Sequence, residues 1–497
     1  MRVIHFLAAS ALLLLATEAV AADRPNLVFI LADDMGFSDL GCYGGEIETP
    51  NLDALAANGL RSTEFYNTAR CWPTRATLMT GRYRNGLDDG PTVAEMLKKS
   101  GYQTAIAGKW HLGGDDQSPY RRGFDDFYGT IEGGGSYWDP PSLTRNDQPV
   151  EPDSPGYYYT DKIGAEAARQ IRELATSGKP FFHYVAFTAP HWPMHAPEAT
   201  IRKYLDRYRG GWEVLRQQRY ERMLEMGLID RKRWPLPPPE PDVRDWETIP
   251  HKDWHVRNMA VYAAMIDHLD QAVGQVVNAL KETDQLDNTL IIFCSDNGAC
   301  SEHLSGNAWK TAINVLEKAR KEGRPITVGD DPSVPNGGPD TFGSVGRDWA
   351  NAQNTPLPRY KGNVRAGGTL TPAIFHWPAR IPADARGTVV ADRGHVVDLM
   401  ATAGELAGTK MPENQGRSLV PMLTGRSLDP DFPYYFNHQH THAIIRGNFK
   451  LVREGKEPWR LFDLSKDKTE TRDLAADHPA RVEELKKLWN SFPDPGR

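Results

Sequence analysis

The chain has 497 residues, a net charge of −7, 25% charged residues and four cysteines. That length outgrows one ordinary core and points to a large domain with a smaller companion. A mild negative charge with no basic block argues against a nucleic-acid partner, and four cysteines are too few for a disulfide-built scaffold.

Residues 1–21 read as an export signal. Met1-Arg2 is a short basic start, Phe6 to Leu15 an apolar stretch, and Ala19-Val20-Ala21 a small-residue cleavage pattern. The apolar stretch falls short of the roughly 20 residues that span a bilayer, and no cysteine near the cleavage point offers a lipid attachment. The expectation is a periplasmic or secreted chain without a membrane anchor. Cys294 and Cys300 are near enough in sequence to pair in such a compartment, and the pattern leaves that open.

Asn26 to Ala32 is an unbroken apolar run with β-branched residues, the signature of a strand buried on both faces. Similar runs recur at 104–107, 181–187, 289–294 and 371–376. Helical patterns fall between them at 51–58, 92–100, 161–177 and 259–280. This alternation predicts an α/β fold: a large mixed, mostly parallel sheet sandwiched by helices. Polar residues follow four of the strands at their carboxyl ends: Asp33-Asp34, Lys109 with His111, His191, and Asp296-Asn297. Open α/β sheets bind ligands along that edge. Two stretches, 192–254 and 301–358, read as long and loop-rich. From about residue 429 the pattern changes. Residues 442–452 predict a hairpin turning at Gly447-Asn448, 459–464 another short strand, and 478–492 a closing helix with Val482, Leu485, Leu488 and Trp489 on one face. The predicted organisation is therefore a signal at 1–21, a catalytic domain at 22–428 and a smaller C-terminal α+β subdomain at 429–497 carrying a short antiparallel sheet.

Asp33, Asp34, Asp296 and Asn297 offer oxygen donors, which suit a hard cation, Ca²⁺ or Mg²⁺. The four cysteines show no close thiolate pairing of the kind that suits zinc. Either acidic pair alone also fits a helix cap or a turn; together on one sheet edge they favour a metal. Pro73 and Gly81 bracket a short helix. Cys71 then lies near its N-terminus, where free N–H groups favour an anion, with Arg75 one turn in. On its own Cys71 fits a structural thiol, a metal ligand or the precursor of another nucleophile.

Cys71-Trp72-Pro73-Thr74-Arg75 and Gly108-Lys109-Trp110-His111-Leu112-Gly113 resemble the two signatures of the type I sulfatases, within the alkaline-phosphatase-like superfamily. Asn26 to Asp34, Thr188-Ala189-Pro190-His191, Ser295-Asp296-Asn297-Gly298 and Asn354 to Lys361 resemble further family motifs. The first signature matches only in its shorter C-x-P-x-R form, with Thr74 where serine or alanine is commoner. Ala366 stands where relatives usually have glutamate. The resemblance implies that a separate maturation enzyme oxidises Cys71 to formylglycine, whose hydrate is the nucleophile. It implies a Ca²⁺ (or Mg²⁺) site formed by Asp33, Asp34, Asp296, Asn297 and the modified Cys71. Arg75 would orient the hydrate, Lys109 and Lys361 would hold sulfate oxygens, His191 would protonate the leaving alcohol, and His111 would take the proton that releases sulfate. Ser136 is a further candidate sulfate contact. The expected activity is hydrolysis of aryl or carbohydrate sulfate monoesters. Two other readings remain: a phosphonate or phosphodiester hydrolase of the same superfamily, and a catalytically silent binder of sulfated polysaccharide.

Overall fold

The computed structural model describes residues 24–87, 90–304, 323 and 326–492. The export signal read at 1–21 lies outside the described residues. In chain order the strands are β1 (Asn26–Ala32), β2 (Leu60–Tyr66), β3 (Gln103–Lys109), β4 (Asp126–Thr130), β5 (Leu143–Arg145), β6 (Gln148–Pro149), β7 (Phe181–Ala186), β8 (Thr289–Ser295), β9 (Thr327–Val328), β10 (Thr341–Phe342), β11 (Leu370–His376), β12 (Thr388–Val390), β13 (Gly394–His395), β14 (Tyr434–His438), β15 (Thr441–Arg446), β16 (Phe449–Glu454) and β17 (Arg460–Asp463). The large sheet runs β12-β2-β11-β8-β1-β7-β3-β4-β5-β6, with β13 also on β2. Its middle, β8-β1-β7-β3-β4, is wholly parallel.

All seven residues of β1 are buried. Successive side chains on a strand point to opposite faces. Accordingly Val28, Ile30 and Ala32 join one apolar cluster, with the helices Tyr159–Ala175 and Lys252–Glu282. Leu27, Phe29 and Leu31 join another, with the helices Cys71–Thr80, Val93–Lys99 and Asp398–Ala407. The sheet is thus sandwiched, as the unbroken apolar run requires.

Two readings need correction, and one question left open is answered. The 371–376 run pairs antiparallel with both β2 and β8, because local hydrophobicity carries no strand direction. The 192–254 stretch is not loop throughout: it holds the helices Glu198–Tyr204 and Gly211–Glu225. Cys294 and Cys300 do not pair; all four cysteines are buried and free.

At the C-terminal end β14-β15-β16-β17 form a four-stranded antiparallel sheet. Arg446 faces Phe449 across Gly447-Asn448. The helix Pro479–Ser491 closes it, burying Leu485 and Trp489. Among the described residues no helix is long and apolar enough to cross a membrane.

Candidate active site

The sheet register assembles the acidic cluster. Ala32 at the end of β1 pairs with Ser295 at the end of β8, so Asp33 and Asp296 emerge side by side, and Asp296 N donates to Ala32 O at 3.0 Å. On the other flank of β1, β7 leads to His191, and next to it β3 ends at Lys109. The four predicted polar strand ends therefore belong to four adjacent strands. Asp34 and His111 both adopt left-handed backbone, φ +68° and +59°, a conformation uncommon outside glycine. Cys71 is the first residue of its helix, two residues earlier than Pro73 suggests, and Gly81 at φ +64° ends it.

The side chains interlock. Arg75 donates to Asp296 Oδ2 through Nε (3.1 Å) and Nη2 (2.8 Å), and to the carbonyl of Lys109 at 3.0 Å. It underpins the carboxylates and lies 3.5 Å from Asp33 Oδ2. Lys109 Nζ donates to Asp33 Oδ2. Lys361 Nζ sits 2.8 Å from Asp34 Oδ1, seated there with Ala366 in place of the expected glutamate. Asn297 Nδ2 donates to the same Asp34 oxygen at 2.7 Å. His191 places Nδ1 2.6 Å from the carbonyl of Trp192, which fixes Nδ1 as the protonated nitrogen, and turns Nε2 toward Asp34 Oδ2 at 3.6 Å.

The donor set fits a hard divalent cation. Asp33 Oδ1 and Asn297 Oδ1 are buried without a hydrogen-bond partner, a costly state unless a ligand takes them up. Ligand atoms of Asp33, Asp34 and His191 lie within 4.8 Å of one another, a group that takes in His191 and does not include the expected ligands Asp296 and Cys71. The electrostatics agree. Burial and the neighbouring Asp33 carboxylate push Asp296 up to about 7. Burial also opposes the charge on Asp33, yet Lys109, His191 and Arg75 together hold it well below its ordinary value. Burial and Lys361 push His191 down to about 4, and burial and Lys109 push His111 down to about 2. Both imidazoles are neutral near pH 7. Burial raises the Cys71 thiol above its ordinary value, so as a thiol it is a poor nucleophile.

The glycine run before Ser136 has a steric purpose. A Cβ on Gly133 would lie 2.4 Å from His111 Cε1 and Nε2. Ser136 Oγ accepts from the N–H groups of Trp138 and Asp139, at 3.2 Å each, so its oxygen is engaged in a turn.

Around Cys71 the structure adds residues that the motifs did not indicate. Arg70 lies over the Trp72 ring, 5.3 Å from its centroid, and pairs with Glu302 at 3.0 Å. Glu302 also accepts from Trp192 Nε1 at 2.8 Å. Trp72 meets His111 and His438 edge-on at 6.1 and 6.0 Å. His438 comes from β14, in the small sheet, and no local pattern connects it with residue 71. The sequence marks Arg70 and Trp72 by their adjacency to Cys71 alone.

Lysines and an arginine beside buried carboxylates suit an ester with a charged, oxygen-rich centre: cations for its peripheral oxygens, imidazoles for its protons. The fold and site thus define an enzyme built on a mixed α/β sheet and suited to hydrolysing anionic esters. A family model described as Sulfatase matches residues 25–409, and the chain belongs to the sulfatase family, the sulfuric ester hydrolases. It is 34% identical to an uncharacterised sulfatase of Schizosaccharomyces pombe, over 94% of this chain and 93% of that one. It is 30% identical to an arylsulfatase of Klebsiella aerogenes, over 89% and 99%. The crystal structure of Ps i-CgsB with k-i-k-neocarrahexaose superposes with a TM-score of 0.69 at 25% identity, covering 95% of this chain and 94% of that one.

Proposed function

We propose that this sulfatase hydrolyses sulfate monoesters of carbohydrate or aryl alcohols, using formylglycine made from Cys71 by a separate maturation enzyme and a Ca²⁺ ion, with Mg²⁺ as the substitute. The observation that carries the reading is the set of unpartnered, buried oxygen donors of Asp33 and Asn297 beside Cys71. When bound, the cation and the aldehyde hydrate supply a nucleophilic oxygen and a Lewis acid.

This chain's residues do the rest. Asp33, Asp34, Asp296 and Asn297 hold the cation, and Arg75 keeps two of those carboxylates in place. Lys109 and Lys361 exchange part of their carboxylate contacts for sulfate oxygens and stabilise the charge growing there. His191, with Nδ1 committed to Trp192, offers Nε2 toward the leaving alcohol. It is neutral at rest, so it needs the approach of the anionic ester before it can donate. His111, held neutral, accepts the proton that precedes sulfate release. Export to the periplasm or beyond the cell is part of the same reading and rests on residues 1–21.

Mass spectrometry of the peptide containing Cys71 tests the nucleophile: sulfur and two hydrogens should be replaced by one oxygen. Active protein carrying only the thiol would refute it. Turnover of aryl sulfates, sulfated sugars and an aryl phosphodiester, with Cys71→Ala as control, tests the ester. A faster phosphodiester rate would instead assign the phosphodiesterase reading, and polymer binding without sulfate release the silent binder.

A further inference from the structure

Asp39 is a fully buried carboxylate that the proposed catalysis does not use, five residues beyond Asp34. Its Oδ2 accepts from Gly36 N at 2.7 Å and from the Tyr262 hydroxyl at 2.7 Å. Its Oδ1 takes Arg219 Nη1 at 2.6 Å. The Tyr262 hydroxyl also lies 3.3 Å from the carbonyl of Asp34 and from Gly36 N. A hydroxyl has one hydrogen. At these distances it goes mainly to Asp39, with the Asp34 carbonyl as the secondary acceptor. Arg219 in turn grips both oxygens of Glu46, at 2.8 and 2.9 Å.

Asp34 presents its carboxylate from left-handed backbone, φ +68°, which a non-glycine residue keeps only where its surroundings enforce it. Those surroundings include the Tyr262 hydroxyl against the Asp34 carbonyl, Asp39 on Gly36 N, Ser295 Oγ accepting from Met35 N at 3.1 Å, and Asp296 Oδ1 accepting from Asp34 N at 3.4 Å. Arg219 belongs to the helix Gly211–Glu225, within the 192–254 stretch. A buried carboxylate needs a paired charge, and that stretch supplies it to Asp39.

We propose that Asp39, Arg219 and Tyr262 are positioning residues that lock the Asp34 backbone in its left-handed form and so set the affinity of the site for a divalent cation. The inference rests on the cation reading above. It gives the Gly211–Glu225 helix a function: bracing the metal-binding turn from behind. Groups that orient metal ligands change affinity by about 10- to 100-fold when lost.

Tyr262→Phe removes one hydroxyl and keeps the ring, and Asp39→Asn keeps the volume. Calorimetric Ca²⁺ titration of the mature chain should show wild-type binding, and binding about 10- to 100-fold weaker in Tyr262→Phe. Turnover of an aryl sulfate by Tyr262→Phe should return as Ca²⁺ is raised. Equal Ca²⁺ affinity in Tyr262→Phe and wild type overturns the proposal. So does a rate loss that excess Ca²⁺ fails to restore, which would mark a merely structural role. Asp39→Asn should weaken Ca²⁺ binding in the same way, and an affinity equal to wild type there overturns the proposal as well. A wild type that binds neither Ca²⁺ nor Mg²⁺ refutes the cation reading itself, and the proposal with it.

Discussion

Arg75 Nη2 lies 2.8 Å from Asp296 Oδ2, with both side chains withdrawn from water. The same guanidinium reaches within 3.5 Å of Asp33 Oδ2, so one planar cation serves two carboxylates. Removing one partner of a buried pair leaves an uncompensated charge, at a cost of about 3–5 kcal/mol. Arg75→Met should lower unfolding stability by that amount and abolish turnover. Arg75→Lys keeps the charge but lacks the fork, so it should recover part of the stability and little of the activity. Equilibrium urea unfolding in chelator measures the stability of each variant, and turnover of an aryl sulfate its activity. A midpoint unchanged in Arg75→Met would show that the pair does not carry the site.

The two histidines should separate kinetically. Proton transfer to the leaving oxygen matters most when the alcohol is a poor leaving group. His191→Asn should lower kcat by about 10²–10⁴-fold on alkyl sulfates, and by less on esters of acidic phenols. His111→Asn should slow both classes alike. The readout is the slope of log kcat against leaving-group acidity. Parallel slopes in the two variants would remove the assigned roles.

Trp72 follows Cys71 and meets His438 edge-on, and His438 Nε2 is buried with no hydrogen-bond partner. They should govern how the alcohol portion of the ester binds. Trp72→Ala and His438→Ala should raise KM while leaving kcat on a small aryl sulfate within about tenfold, a loss of one or two contacts rather than of the reacting groups. A fall in kcat with unchanged KM would place them in the chemistry instead.

The acidic cluster was legible because buried parallel strands read as unbroken apolar runs, and Asp33-Asp34 and Asp296-Asn297 break two of those runs at the same end. The Gly211–Glu225 helix was not. Its buried stripe is Trp212, Leu215, Arg216, Arg219, Tyr220 and Met223, and two arginines within the stripe erase the apolar period. β2 was missed for a related reason: Ser62, Thr63 and Glu64 are buried in it, and Glu64 is paired with Lys468 and Arg393 from far along the chain. Polar positions buried by remote partners have no local signature, which is also why Asp39, Tyr262 and His438 escaped notice.

Stability should fall in acid through histidines remote from the site. Burial, with Arg169, pushes His183 down to about 3, and burial pushes His395 down to about 3. Each is neutral in the fold but titrates near 6.5 in the unfolded chain. The unfolded state binds more protons below that value. Their contribution is therefore present above about pH 6.5 and is lost as pH falls toward the folded value, by roughly 1.4 kcal/mol per pH unit for each. Asp398, pushed up to about 6 by burial, works the other way: between about pH 6 and 4 the fold holds the proton, offsetting one histidine. His183→Gln, which spares the Gln170 side of the 2.9 Å contact, should flatten the dependence by about one proton between pH 6.5 and 5. Urea midpoints across that range supply the slope, and equal slopes would mean that His183 titrates normally in the fold.

Calcium should act as a folding ligand. Asp33, Asp34 and Asp296 are all buried, and the like charge of Asp33 on Asp296 is relieved only in part by Arg75 and Lys109. A divalent ion that binds the folded state alone stabilises it by about 2.7 kcal/mol at one hundred times its Kd. Chelation should therefore lower the thermal midpoint, and added Ca²⁺ should restore it in proportion to the logarithm of its concentration. Asp34→Asn removes a ligand charge and the partner of Lys361 at once, so it should abolish the response. Cys71→Ala leaves every carboxylate in place and should retain most of it while losing turnover. A midpoint indifferent to Ca²⁺ and Mg²⁺ in the wild type would show that the carboxylates are balanced by Arg75, Lys109 and Lys361 alone.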